Sequence, residues 1–274
     1  MSKMDIGVLV NLNKEPEMAI ERVAKFGLCS CQMCSWQPDM WTDEVGQKLA
    51  AACKRLNVRV STFWAGYTGP AVWNFIEGPT TIGLVPEQYR AQRTAELKQA
   101  ATFAAKFGLP SITTHVGFLP EDPNDVLYTG TVAALKEIVQ HCKELGIDFL
   151  FETGQETPVT LLRTIEHIGL GNVGINLDTA NVILYGKGNP VDSLEVFGKY
   201  VKDLHIKDGF FPTCGDNLGK QVPLGEGKVD FKAVVAGLKE LNYSGPLTIE
   251  CECGGSDEQV AYIKSAIAML EPLR

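Results

Sequence analysis

Apolar residues gather along this chain in eight short runs, each followed by a longer stretch in which apolar positions return every three or four residues. The runs are Ile6–Val10, Leu28–Cys34, Val58–Trp64, Ser111–Val116, Ile147–Glu152, Val173–Asp178, Val201–Ile206 and Leu247–Cys251. Their length and apolar character predict strands. The stretches between them, such as EPEMAIERVAKFG, DEVGQKLAAACKRLN and TVAALKEIVQHCKELG, predict amphipathic helices, several of them stopped by a glycine at Gly27, Gly108, Gly146 or Gly169. Strict strand–helix alternation over 274 residues predicts one domain, residues 1–274, built as a closed parallel (β/α)8 TIM barrel. A doubly wound open sheet is the weaker option.

Two connections break the rhythm by their length. Gly66–Pro86 follows the third strand and Gly209–Lys228 the seventh, and both are rich in Gly, Pro and aromatics, with Trp73 and Phe75 in one and Phe210 and Phe211 in the other. Barrel active sites are built from the loops after strands, so these segments are expected over the barrel mouth, either as lids that close on a ligand or as permanently packed caps.

Several strands begin apolar and end polar. Glu152 in FLFETG, Asp178 in GINLDTAN, His205 in VKDLHIKD and Glu250 in PLTIECEC each stand at a strand end. Alternation pairs Glu152 with Leu150 on one face, Asn176 with Asp178, His205 with Lys207, and Glu250 with Glu252, while Cys251 and Cys253 take the other face. A carboxylate inside a strand buried on both faces is costly unless it is paired or bound to a cation. One divalent-metal site at the barrel mouth explains all four residues together; four unrelated helix caps or ion pairs would explain them separately. The oxygen-rich set favours Mn2+ or Mg2+ over a structural zinc.

Composition sets the context. The chain is 45% hydrophobic, with no apolar run long enough to span a bilayer and no signal-peptide pattern at its start. A net charge of −8 and the lack of a basic stripe argue against nucleic acid as partner. A small polar metabolite in the cytoplasm is the expected setting, with no membrane partner and with a homo-oligomer as an open option. Of the eight cysteines, Cys31 and Cys34 have C-x-x-C spacing without a second pair, so buried thiols are expected rather than a disulfide or a zinc cluster.

The run from Ile147 to Gly254, with ETGQE, NLDTAN followed by YGKGNP, HIKDG, LGEGKVDF and IEC, resembles the sugar phosphate isomerase/epimerase family of xylose-isomerase-like barrels, which includes D-tagatose 3-epimerase and the inositol-catabolism isomerases. The resemblance implies one Mn2+ or Mg2+, with Co2+ or Zn2+ as further options, held by Glu152, Asp178, His205 and Glu250. It also implies that Glu152 and Glu250 move the substrate proton, one on each face of a keto-sugar or related polyol, through an enediolate. Three positions depart from the family pattern. Asn181 stands where many relatives have a His, Lys207 is the nearest cation where the epimerases carry an Arg, and Glu156 substitutes for a family Glu whose place is taken by Pro158.

His115 in TTHVG is either a core histidine or a substrate contact, and Trp64 either core or a wall against a sugar ring. Lys207 binds an anionic group or pairs with Asp208 or Glu252. His141 and His167 fall in helical patterns and carry no expected role. With only four histidines, the chain lacks the ligands that the three-zinc DNA-repair branch of this fold needs, which argues against that role. The implied activity is therefore a metal-dependent sugar isomerase or epimerase, with a metal-dependent dehydratase or lyase as the alternative and a non-catalytic sugar-binding barrel behind both.

Overall fold

Ile6 pairs in parallel with Leu247, and that contact closes the sheet on itself. The computed structural model describes residues 3–251 and 256–274. Among them eight barrel strands run in sequence order around the ring: β1 Ile6–Asn11, β2 Ser30–Ser35, β3 Arg59–Ala65, β4 Ser111–Thr114, β5 Asp148–Glu152, β6 Val173–Asp178, β7 Val201–Ile206 and β8 Leu247–Ile249. Helices α1 Pro16–Lys25, α2 Asp43–Leu56, α3 Glu87–Lys106, α4 Val126–Glu144, α5 Pro158–Ile168, α6 Pro190–Phe197, α7 Phe231–Glu240 and α8 Ser256–Leu270 form the outer layer. The predicted barrel is thus the observed one.

Local chemistry explains where the helices begin and end. Side chains of Thr42, Asp125, Thr157, Asn189 and Asp230 accept from first-turn amides of α2, α4, α5, α6 and α7. All four glycines read as stops have positive φ. Two strands end earlier than their apolar runs. β4 stops at Thr114 because the carbonyl of Val116 accepts instead from Leu84. β8 is assigned to Ile249, although the amide of Glu250 still reaches the carbonyl of Ile206 at 3.2 Å. Glu252 and Cys253 lie outside the described residues.

The core lies between the two layers. Ile112, Phe149, Ile175, Leu204 and Ile249 on the strands are fully buried in one cluster with Leu97, Leu135, Leu161 and Leu238 on the helices. The lumen is polar instead. Thr62 bonds Thr113 at 3.0 Å, and the amide of Gln32 on β2 reaches across to Asn176 on β6 at 2.9 Å. Since β2 and β6 are not neighbours in the ring, both side chains must point inward. Thiols are less uniformly buried than expected. Cys31, Cys34 and Cys142 are buried, but Cys29 and Cys214 are exposed, because both sit in turns outside the strands.

Both long loops are tied down from beneath. Arg93 of α3, fully buried, donates to the carbonyls of Thr68, Pro70, Thr81 and Gly83 in the first loop and stacks on Tyr67 at 4.3 Å. The carboxylate of Asp208 accepts from the amides of Gly225, Gly227 and Val229 in the second. A side chain at Gly227 would collide with that carboxylate, so this close approach requires glycine. The loops also meet, through Phe75 N–H and the carbonyl of Asp216 at 3.0 Å. Such anchoring favours fixed caps over freely hinged lids.

Candidate metal centre and active site

Parallel pairing puts the four strand-end residues in adjacent places. Asp178 on β6 is in register with His205 on β7, Thr248 on β8 is in register with the same histidine, and Glu152 ends β5 beside Asn176. Alternation then turns Glu152, Asp178, His205 and Glu250 toward one point, with one donor atom from each lying within 4.8 Å of the others. All four are buried. His205 Nδ1 stands 2.9 Å from Glu152 Oε1 and 3.2 Å from Glu250 Oε2. Lys207 Nζ lies 3.2 Å from Asp178 Oδ2 and 2.9 Å from Glu250 Oε2. Despite those ion-pair contacts, neither carboxylate oxygen has a hydrogen bond of good geometry. Two buried oxygens whose contacts to Lys207 are ionic rather than well-formed hydrogen bonds, beside a third carboxylate and an imidazole, fit a hard divalent cation.

The protonation of the cluster points the same way. Burial would raise Glu152, but the charge and hydrogen bond of His205 outweigh it and hold the carboxyl below its ordinary value. Glu250 is held well below that range, Lys207 and His205 overcoming burial. His205 is raised well above its ordinary value, because Glu152 and Glu250 overcome the cost of burying its charge. Asp178 is pushed up to about 8 by burial, against the pull of Lys207. Without metal these shifts both favour the protonated forms of His205 and Asp178. A divalent cation held by the four residues would displace those protons at equal total charge.

This gives a pH dependence with a definite sign. Metal competes with protons for the ligands, so affinity rises with pH until His205 and Asp178 have both lost theirs. Near pH 6 to 7 the Mn2+ dissociation constant is expected to fall by roughly two decades per pH unit, one for each displaced proton. Calorimetry in buffers of different ionisation enthalpy counts those protons; a value near zero would exclude this account. The metal-free fold responds in the opposite sense. A folded pKa raised above the unfolded one contributes stability at low pH that is lost as pH rises, for Asp178 up to about 8.

The other sequence candidates divide. Trp64 lines the cavity above the cluster, and its indole N–H donates to Glu152 Oε2, so it is more than core packing. His115 lies 3.6 Å from Glu152 through Nε2, and burial, reinforced by the charge of Lys207, lowers its pKa toward the neutral form. Asn181 reaches Glu152 Oε1 and Lys207 Nζ, each at 3.5 Å. Its position is fixed because its backbone amide caps Asp178 Oδ1 at 2.8 Å. Lys207 pairs with Asp178 and Glu250; of the two partners named from sequence, Asp208 is occupied with loop amides and Glu252 lies outside the described residues. Glu156 is buried and pushed up to about 8 by that burial, but it does not line the cavity.

The cavity measures about 820 Å3. Sequence reasoning placed Trp73 in a loop over its mouth and missed Trp36 in its wall. Trp36 and Trp73 stand half-exposed in it, Trp36 5.0 Å from Trp64 and Trp73 5.1 Å from the His115 ring. It also missed Gln32, fully buried, whose Oε1 is 2.7 Å from His205 Nε2. The signal for Gln32 was present as a lone amide inside SCQMCS, in alternation with Cys34.

Barrel, mouth and buried Glu/Asp/His/Glu cluster together define a class. The chain belongs to the xylose isomerase-like TIM barrel family, whose model matches residues 20–273. A crystal structure of a xylose isomerase domain protein from Planctomyces limnophilus superposes with a TM-score of 0.93 at 33% identity, over 100% of this chain and 98% of that one. D-psicose 3-epimerase, solved in the presence of D-fructose, gives 0.72 at 17% identity over 98% and 99% of the two chains. The 3-keto-D-glucoside 4-epimerase YcjR from E. coli gives 0.72 at 18% over 98% and 100%. These last two share the fold. Protein MJ1311 of Methanocaldococcus jannaschii is 26% identical over 180 residues, spanning 60% of this chain and 58% of that one. No described helix is long and apolar enough to cross a membrane.

Proposed function

We propose that this protein is a divalent-metal-dependent sugar isomerase or epimerase, working as a single barrel domain on a keto-sugar or related polyol in the cytoplasm. The observation that carries the reading is the pair Glu152 and Glu250, two buried carboxylates whose pKa values are held down and which both lie against His205 Nδ1. An ionised carboxylate in a buried site can accept a proton, and a pair of them can serve the two faces of one carbon. Glu152, Asp178, His205 and Glu250 would hold Mn2+ or Mg2+. When bound, the cation supplies Lewis acidity to a carbonyl and its neighbouring hydroxyl.

The surrounding residues support that proton transfer. The indole N–H of Trp64 orients Glu152. Lys207 keeps Glu250 charged, and so ready to accept. Asn181 and neutral His115 offer hydrogen bonds to substrate hydroxyls, and Trp36 and Trp73 give a flat apolar wall to the C–H face of a ring.

The test is a panel of keto-sugars incubated with the Mn2+-loaded protein in deuterated water and followed by NMR. Deuterium entering at the carbon beside the carbonyl is the expected result. Loss of a water from substrate would replace this reading with a lyase, and no exchange into any keto-sugar would defeat it.

A further inference from the structure

We infer that Gln32 is the positioning residue that makes His205 a ligand through Nδ1, an inference that rests on the metal site proposed above. The two ring nitrogens of His205 face different surroundings. Nδ1 looks toward Glu152 and Glu250, at 2.9 and 3.2 Å, while Nε2 lies 2.7 Å from Oε1 of Gln32. A ligating imidazole is neutral, so one nitrogen carries the proton and the other offers its lone pair. Which is which depends on how the Gln32 amide is turned.

The far side of Gln32 settles that orientation. Its Nε2 lies 3.3 Å from the backbone carbonyl of Leu204 and 2.9 Å from Oδ1 of Asn176. Asn176 could be turned over, but the carbonyl of Leu204 is fixed and only accepts. The Gln32 atom facing it must therefore be the amide nitrogen. Asn176 turns to suit, and its own Nδ2 is left buried without a partner. Oε1 is thereby committed to His205. An amide oxygen has no proton to give, so Nε2 of the ring must donate, and the lone pair of Nδ1 faces the carboxylates.

Gln32 does this from a distance. It comes from β2, is fully buried and does not line the cavity, so it touches the site only through His205. Partners placed behind a ligating histidine fix its tautomer and ring orientation. Without Gln32 the proton is free to settle on Nδ1, where it blocks the metal.

Two measurements on the full chain test this. The first is Mn2+ titration calorimetry on the wild type and on Gln32→Leu, with metal-free melting as the control for folding. The dissociation constant is expected to rise ~10–100-fold in the variant. The second needs no substitution at position 32. Nitrogen-15 histidine spectra of the Mg2+-loaded wild type, with His205 identified by its absence from His205→Ala, are expected to show the proton on Nε2. A proton on Nδ1, or equal Mn2+ affinity in wild type and folded Gln32→Leu, overturns the role of Gln32 alone. A wild type that binds neither ion overturns the metal reading, and this inference with it.

Discussion

Glu152→Gln and Glu250→Gln are each expected to slow turnover by at least ~10², the low end for a lost general acid or base. In barrier terms that is about 2.7 kcal/mol. The amide keeps the shape of the carboxyl group and can still offer an oxygen to a cation, but it cannot accept a proton at neutral pH. The two variants differ in what else they disturb. Glu152 receives the Trp64 indole and neighbours His205 and His115, whereas Glu250 answers Lys207. In Glu250→Gln the ammonium therefore keeps only Asp178 as an anionic partner among its described ion pairs. Kinetics must be measured at saturating Mn2+, with bound metal verified by elemental analysis. Wild-type turnover by either saturated variant would remove that residue from the proton path. The D2O experiment sharpens the comparison, because loss of one base alone leaves exchange on one face of the substrate.

The second large effect is loss of the ion itself. Chelation is expected to abolish activity, with recovery on adding Mn2+ or Mg2+. Asp178→Asn and His205→Ala should weaken metal binding more than ~100-fold, beyond the range found when only a partner behind a ligand is lost. Asp178 gives the cluster one of its three carboxylates, and His205 its only nitrogen ligand. Elemental analysis that finds stoichiometric metal retained in both variants would refute the site. Asp178→Asn carries a further diagnostic. Burial makes the metal-free wild type hold a proton on Asp178, so the neutral amide mimics that state. The variant is expected to fold as well as the metal-free wild type while losing the ion, which separates binding from stability.

Much of this molecule was already readable from the alternation of its residues. Eight apolar runs and their intervening helical periods fix a parallel barrel, because a strand buried on both faces and a helix buried on one leave different imprints on the chain. The same alternation assigns inward faces, which is why Glu152, Asp178, His205 and Glu250 could be named as one cluster from strand ends alone. Each of those statements depends on the backbone of a single element and its immediate neighbours.

The tertiary structure decided what depends on distance across the lumen. Glu156 sits in ETGQE only four residues beyond Glu152, yet the turn after β5 buries it away from the cavity. Lys207 and Asp208 are adjacent in sequence, but one faces the carboxylates and the other staples a loop. Gln32 lies 173 positions from His205 and still holds its ring at 2.7 Å. Spacing along the chain carries no record of such contacts, because they arise only when the ring closes and brings β2 opposite β6 and β7. The sequence by itself determined which residues point inward; ring closure decided which of them touch, and with that the charge and the proton each one holds.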